Sequence, residues 1–233
     1  MAGDAAKSGG FTTKLELIRG ELNAQGRRVV AICDAAFDAF FNDDPAAAKQ
    51  AEALDDEIDR VDIALEQHAV RLLCDAAREA NELPPEQIRE LLVVVKANNE
   101  LERIADCAVH ISEHVSKRSG ASIPETFRVL SNSVIGIVRD VCRSLEHRDA
   151  ETARLVLKAE DTVRGFKSAV LRDAENRIAS GDMAVDTAFL LHELASCCEH
   201  IADHSTNMAE QVLYAVTGTI VRHCEAGWTE VDL

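Results

Sequence analysis

Glu102-Arg103-Ile104-Ala105-Asp106 recurs 97 positions later as Glu199-His200-Ile201-Ala202-Asp203. Downstream, Glu113 and Val115 answer to Glu210 and Val212. A stretch written twice at such a distance means two similar modules, so the fold question halves. Each copy also sets two carboxylates four residues apart beside an apolar stripe. On a helix, positions i and i+4 share a face, and two acids there repel. A pattern that costs stability and is still written twice suggests that a cation is meant to sit between them.

The rest of the chain reads as helix. It has 233 residues, 47% of them hydrophobic and 4% aromatic, with four prolines and eleven glycines. Ala, Leu, Val, Glu, Asp and Arg dominate, which is the composition of an all-α protein. Apolar residues recur every three or four positions. Leu15, Ile18, Leu22, Val29, Ile32, Cys33, Ala36, Phe37 and Phe40 mark a first helix, which the break Asn42-Asp43-Asp44-Pro45 closes. Ala51, Leu54, Ile58, Val61, Leu65, Leu72 and Leu73 point inward from a second, running to about Asn81 and ended by Leu83-Pro84-Pro85. A third runs from about Glu86 to Lys117, with Leu101, Ile104, Ala108, Ile111 and Val115 as its seam.

Lys117 to Ser122 is the loop-like stretch near the middle, and there the pattern restarts. Val134, Ile137, Val138, Val141, Cys142 and Leu145 mirror the first helix. Arg148-Asp149 mirrors Asp43-Asp44 at an offset of 105 residues. Ser180-Gly181-Asp182 closes a fifth helix, and a sixth runs from about Met183 to Thr217, with Gly218 as its stop. Three long helices joined by short loops pack antiparallel. The expected architecture is therefore two tandem three-helix bundles over 15–118 and 119–222. Residues 1–14 are expected to be a disordered arm. The acidic tail over 223–233, with the lone Trp228, is expected to fray.

Charge narrows the function. The formal net charge is −16. So acidic a surface argues against nucleic acid, which binds basic faces, and against adsorption to anionic lipid. The sequence holds no run of about 18 uncharged apolar residues that would span a membrane. Met1 to Gly10 lacks the apolar core of a signal segment, which points to a cytosolic protein. Among the seven cysteines, Cys33, Cys74, Cys142 and Cys198 sit between apolar neighbours and read as reduced core residues. No nucleophile elbow, phosphate loop or dinucleotide fingerprint occurs, so no enzyme is expected.

The acids are the chemistry-bearing candidates. Asn98, Glu102, Asp106 and His110 form an i+4 line on the third helix; Glu199, Asp203 and Asn207 form its match on the sixth. Asp55 and Asp59 make a further i+4 pair on the second helix, and Glu160 stands where Asp55 stands, 105 positions on. Antiparallel neighbours can set Asp55 and Asp59 against Glu102 and Asp106. Oxygen-only donors suit magnesium, manganese, calcium or iron. In the second bundle Arg164 replaces Asp59 and offers an internal cation to Glu199 and Asp203. Two alternatives stay open: solvated acids on a helix flank, or acids paired with Arg103 or Arg60. Cys107-x-x-His110 and Cys197-x-x-His200 offer a thiolate and an imidazole to zinc, but two ligands do not complete a site. Ferritin-like di-iron sites use Glu-x-x-His, and none of the eight histidines has a Glu three positions before it.

These residues resemble the PhoU family of phosphate-uptake and phosphate-signalling regulators. The likeness rests on Leu101-Glu102-Arg103-Ile104-Ala105-Asp106, on Cys198-Glu199-His200-Ile201-Ala202-Asp203-His204, on Asn207-Met208-Ala209-Glu210-Gln211-Val212 and on the closing Val216-Thr217-Gly218. It covers roughly residues 15–222. It implies two three-helix bundles with metal ions (iron, zinc, manganese or magnesium) on the acidic patches. It also implies a non-enzymatic cytoplasmic regulator, often a homodimer, held at the inner face of the membrane through protein partners. Family members damp a phosphate ABC transporter and link it to a sensor histidine kinase of a two-component system. A sister group accompanies inorganic-phosphate permeases, and a helical metal-storage or metal-redox protein is a further alternative. Two departures stand out: Cys107 where His is usual and Arg164 where an acid is usual.

Overall fold

Six helices carry the repeat: α1 (Ala2–Asn42), α2 (Pro45–Arg78), α3 (Pro85–Glu113), α4 (Glu125–His147), α5 (Ala150–Ser180) and α6 (Val185–Thr217). A 3-10 turn, Val115–Lys117, follows α3. The computed structural model describes the backbone of residues 2–80, 82–118, 120–224 and 227–231, and the side chains of 10–222 except 81 and 119. Helix α1 packs on α2, α3 and α4, whereas α6 packs on α3, α4 and α5. The centre is therefore the four helices α1, α3, α4 and α6. Helices α2 and α5 lie outside, one on each flank.

The two halves repeat down to their turns. Asp43 and Arg148 both take the left-handed backbone conformation, at φ 54° and 55°. The next residue in each half is the N-cap. Asp44 accepts from the amides of Ala46 and Ala47, and Asp149 from those of Glu151 and Thr152. A carboxylate there satisfies amides that a helix start leaves unpaired, worth about 1 kcal/mol.

A continuous apolar core runs through both halves. At one end Phe37, Phe40 and Phe41 of α1 meet Phe127 of α4, with the Phe40 and Phe127 rings edge to face at 5.7 Å. Arg118, in the connection between the bundles, donates to the carbonyls of Phe40 and Phe41 at 2.6 and 2.7 Å. It closes the C-terminus of α1 with a cation, where the helix dipole favours one. Halfway along, Arg139 of α4 holds Asp34 of α1 through two contacts of 2.7 and 2.8 Å. These residues are 105 positions apart, so they are each other's image and meet at the pseudo-twofold axis.

The structure corrects the sequence at several points. The arm expected to be disordered over 1–14 is helical from Ala2. Phe11 lies four positions before Leu15 and is buried, so the apolar stripe starts a turn earlier. The tail expected to fray supplies two antiparallel strands, β1 (Ile220–Cys224) and β2 (Gly227–Val231), with Ile220 opposite Val231 and His223 opposite Trp228. Val221 is buried and Arg222 pairs with Glu210 of α6, which fixes the first strand to the bundle. Leu54, Leu73 and Cys74 of α2, expected inside, are exposed. Helix α2 packs mainly on α1 and α3 from outside, so it buries a narrow stripe centred on Ala51, Ile58, Leu65 and Leu72, spaced by seven, with Ala48, Ala69 and Ala76 beside it. Helices α2 and α3 end earlier than expected, at Arg78 and Glu113, and α6 begins later, at Val185.

Candidate metal centre

Antiparallel packing of α2 on α3 fixes the register of the first cluster. Asn98 on α3 donates to Asp62 on α2 twice, at 2.6 Å to the carboxylate and 3.2 Å to the main-chain carbonyl. One turn along, Asp59 comes level with Glu102; a further turn sets Asp55 level with Asp106. The charges respond to one another across the helices. Asp55 is pushed up to about 6 by loss of water, then by Asp59, Asp106 and Asp56. Glu102 is raised by burial, then by Asp106 and Asp62, with Arg103 acting in the opposite direction. Asp62 is raised by burial, then by Glu66 and Asp59. The cluster thus comprises Asp55, Asp59, Asp62, Glu102 and Asp106. Among the described residues none of these five forms an ion pair with a basic side chain. Arg60 does not serve as a counter-ion here, because its Nε donates to the carbonyl of Asp56.

The second cluster occupies the same place between α5 and α6 and is built differently. Arg164 pairs with the buried Glu160 and lies 3.9 Å from Glu199. Lys167 contacts the other oxygen of Glu199 at 2.6 Å. Asp203 is raised by burial, then by Glu160 and Glu199, while Arg164 and His200 pull the other way. Lys167 was not singled out from the sequence. The signal was there, because Lys167 lies 105 positions after Asp62 just as Arg164 lies 105 after Asp59. Two acids of the first cluster are therefore two cations in the second.

The first cluster's chemistry suits a hard divalent or ferric ion. Its donors are carboxylate oxygens, and two polar atoms are orphaned: Asp55 Oδ1 and Asn98 Oδ1 are buried without a hydrogen-bond partner. A buried carboxylate oxygen with no partner costs free energy that a cation returns. As the side chains stand, no three His, Cys, Asp or Glu groups among the described residues converge in a coordinating arrangement. Uncompensated carboxylates repel, and half-exposed ones turn outward to water. The second cluster fits a metal poorly, because Arg164 and Lys167 already occupy the space between its acids. The zinc alternative gains no third ligand. Burial drives the Cys107 thiol up to about 12 and that of Cys197 to about 11, so both stay protonated, and His110 leans on Glu113 and on the ring of His114.

Known proteins share this organisation. The PhoU domain model matches twice, over residues 22–115 and 127–212. The phosphate-specific transport system accessory protein PhoU homolog of Pseudomonas aeruginosa is 28% identical over 219 residues, covering 91% of this chain and 88% of the relative. The crystal structure of PhoU from Pseudomonas aeruginosa superposes with a TM-score of 0.81 at 25% identity, over 90% of this chain and 100% of that one. PhoU from Streptococcus pneumoniae, a phosphate transport system regulatory protein, shares the fold at a TM-score of 0.82 and 17% identity, over 91% and 99% of the two chains. Among the described residues no helix is long and apolar enough to cross a membrane.

Proposed function

The chain belongs to the PhoU family, and on that premise we propose that it is a non-enzymatic, metal-binding accessory protein of a phosphate transport system. In this reading it restrains a phosphate ABC transporter from the cytoplasmic side and couples it to a phosphate-responsive sensor kinase, working as a homodimer. Supporting this is the likeness over nine-tenths of the chain to accessory proteins of phosphate-specific transport.

The observation that carries the metal part is the uncompensated cluster between α2 and α3, with its raised carboxyl groups and the orphaned Asp55 Oδ1. Asp55, Asp59, Glu102 and Asp106 would hold the ion, while Asn98 fixes Asp62 beside them. A bound cation supplies positive charge that lets all the acids stay ionised at neutral pH. Its binding exchanges a repelling, half-solvated face for an ordered one, and a partner docking there meets a different surface. In the second bundle Arg164 and Lys167 supply that charge permanently.

The test is a deletion strain carrying a phosphate-starvation reporter. The expected result is a reporter that stays on in high phosphate, with phosphate uptake above wild type and both restored by the intact gene. Unchanged reporter output and uptake overturn this reading. A loss of low-affinity uptake through a single-component permease, with the reporter silent, favours the permease accessory role.

A further inference from the structure

The two bundles meet along α3 and α6, and a groove of about 670 Å³ opens at that seam. Sites for small molecules usually measure about 300–1,000 Å³. Helix α3 brings Lys96, Asn99 and Glu100 to the groove, and α6 brings Asn207, Glu210 and Gln211. Arg222 of β1 forms the remaining wall. Helix α6 stops at Gly218, in the left-handed conformation at φ 76°, and β1 follows. Buried Val221 anchors the strand, and the Arg222–Glu210 pair holds it to α6. Arg222 lies beyond the second PhoU domain match, which ends at residue 212.

The hydrogen-bonding capacity left over in this groove is specific. Both acids are engaged: Glu210 by Arg222, and Glu100 Oε2 by His204 Nδ1 at 2.8 Å and by the Asn207 amide at 3.2 Å. Three groups have no polar partner among the described residues. Lys96 forms no ion pair, Asn99 forms no side-chain hydrogen bond, and neither does Gln211, although Gln211 is only 7% exposed. A carboxamide so deeply buried with nothing to bond costs free energy that a ligand offsets. Glu100 Oε1 and the second terminal nitrogen of Arg222 also carry no hydrogen bond among the described residues.

We propose that this groove binds an adenine mononucleotide. The three parts of such a ligand call for three kinds of group, and the groove holds each. A carboxamide pairs in two-bond fashion with the N6 amine and N7 of adenine; Gln211 and Asn99 are the carboxamides without partners. A carboxylate accepts from ribose hydroxyls, and Glu100 has Oε1 for that. An ammonium meets phosphate as a point charge, and a guanidinium adds directed N–H groups. Lys96 supplies the first, and Arg222 the second through the nitrogen that Glu210 does not take. The chain's net charge of −16 repels anions in general. Within the groove the two acids are already met by His204, Asn207 and Arg222, so Lys96 is left to attract one. A nucleotide seated there touches α3 of one bundle and α6 of the other, and so ties the seam between them.

The experiment is isothermal titration calorimetry of the full-length protein with AMP, adenosine, GMP and inorganic phosphate as separate probes. The expected result is one AMP per chain, with adenosine weaker, and GMP and phosphate weaker than AMP by at least about tenfold. Lys96→Ala should weaken AMP about tenfold and leave adenosine unchanged, because it removes a charged contact to phosphate alone. Gln211→Leu should weaken AMP and adenosine alike, by about tenfold, at nearly constant volume. Circular dichroism checks the fold of both variants, and the exposed Lys96 carries the test even if Gln211→Leu does not fold. Four results overturn the proposal: no heat with AMP up to about 1 mM, GMP binding as tightly as AMP, phosphate binding as tightly as AMP with adenosine silent, or a folded variant that binds AMP as wild type does.

Discussion

The clusters between α2 and α3 and between α5 and α6 are the same construction with opposite electrostatics. Both set an i+4 pair of acids on the third helix of a bundle against a line of side chains on the second. In the first that line is Asp55, Asp59 and Asp62; in the second it is Glu160, Arg164 and Lys167. One site leaves its negative charge uncompensated and the other neutralises it from within. On the proposed reading a duplicated module divides labour: one copy would respond to an external ion, and the other carries its own counter-charge.

The sharpest way to break this comparison is to rebuild the second cluster in the image of the first. Arg164→Asp with Lys167→Asp removes both partners of Glu199 and adds two like charges. Removing a partner from a buried pair costs about 3–5 kcal/mol. Since Arg164 is half-exposed, about 3 kcal/mol for the two changes together is expected in urea unfolding of chelated protein. Added divalent metal should recover part of that loss, and metal content should rise by one site.

The reverse exchange gives a smaller effect. Asp59→Arg with Asp62→Lys installs internal cations in the first bundle. The chelated protein should gain about 1–2 kcal/mol, because half-exposed like charges are replaced by ion pairs. Metal should no longer raise its unfolding midpoint. A variant that still gains stability from metal would mean that the ion does not sit among these acids.

A pH titration separates the bundles next. The Asp55 carboxyl is raised from 3.8 to about 6. A group whose folded pKa lies above its unfolded value adds stability below the unfolded pKa and loses it as pH rises through the folded one. Chelated protein should therefore gain stability from this group as pH falls from about 6 to about 4. The full shift corresponds to about 3 kcal/mol, and solvent screening of a half-exposed group reduces it to about 1 kcal/mol. Denaturant midpoints of wild type and Asp55→Asn, normalised at pH 4, should diverge as pH rises toward neutral, with wild type falling below the variant. A variant with the same pH slope as wild type contradicts the assignment.

The smallest effect belongs to the axis between the halves. Arg139→Ala breaks the exposed pair with Asp34 and should cost less than about 1 kcal/mol, screened by salt. A larger cost would mean that this contact, rather than the α3–α6 seam and the phenylalanine cluster, holds the bundles together.

Much of this was legible in the sequence, for physical reasons. Helical periodicity and the repeat at Glu102 and Glu199 were enough for six helices in two sets. The acid pairs were visible because i+4 spacing puts them on one face whatever surrounds them. Asp62 was missed because its role depends on the register of α2 on α3, which the Asn98–Asp62 contact reveals, and Lys167 because its role depends on the register of α5 on α6. The exposure of Leu54 and Leu73 was hidden because hydropathy does not tell an outer helix from a central one. The hairpin escaped because its strands are five residues each and follow a strong helix stop at Gly218.

The central claim, that one bundle takes an external cation and its twin uses its own, is tested most directly by elemental analysis of protein purified without chelator. Wild type is compared with Glu102→Gln/Asp106→Asn and with Glu199→Gln/Asp203→Asn. The account predicts that metal disappears with the first pair of substitutions and is unchanged by the second. Metal that survives the first pair, or is removed only by the second, contradicts it.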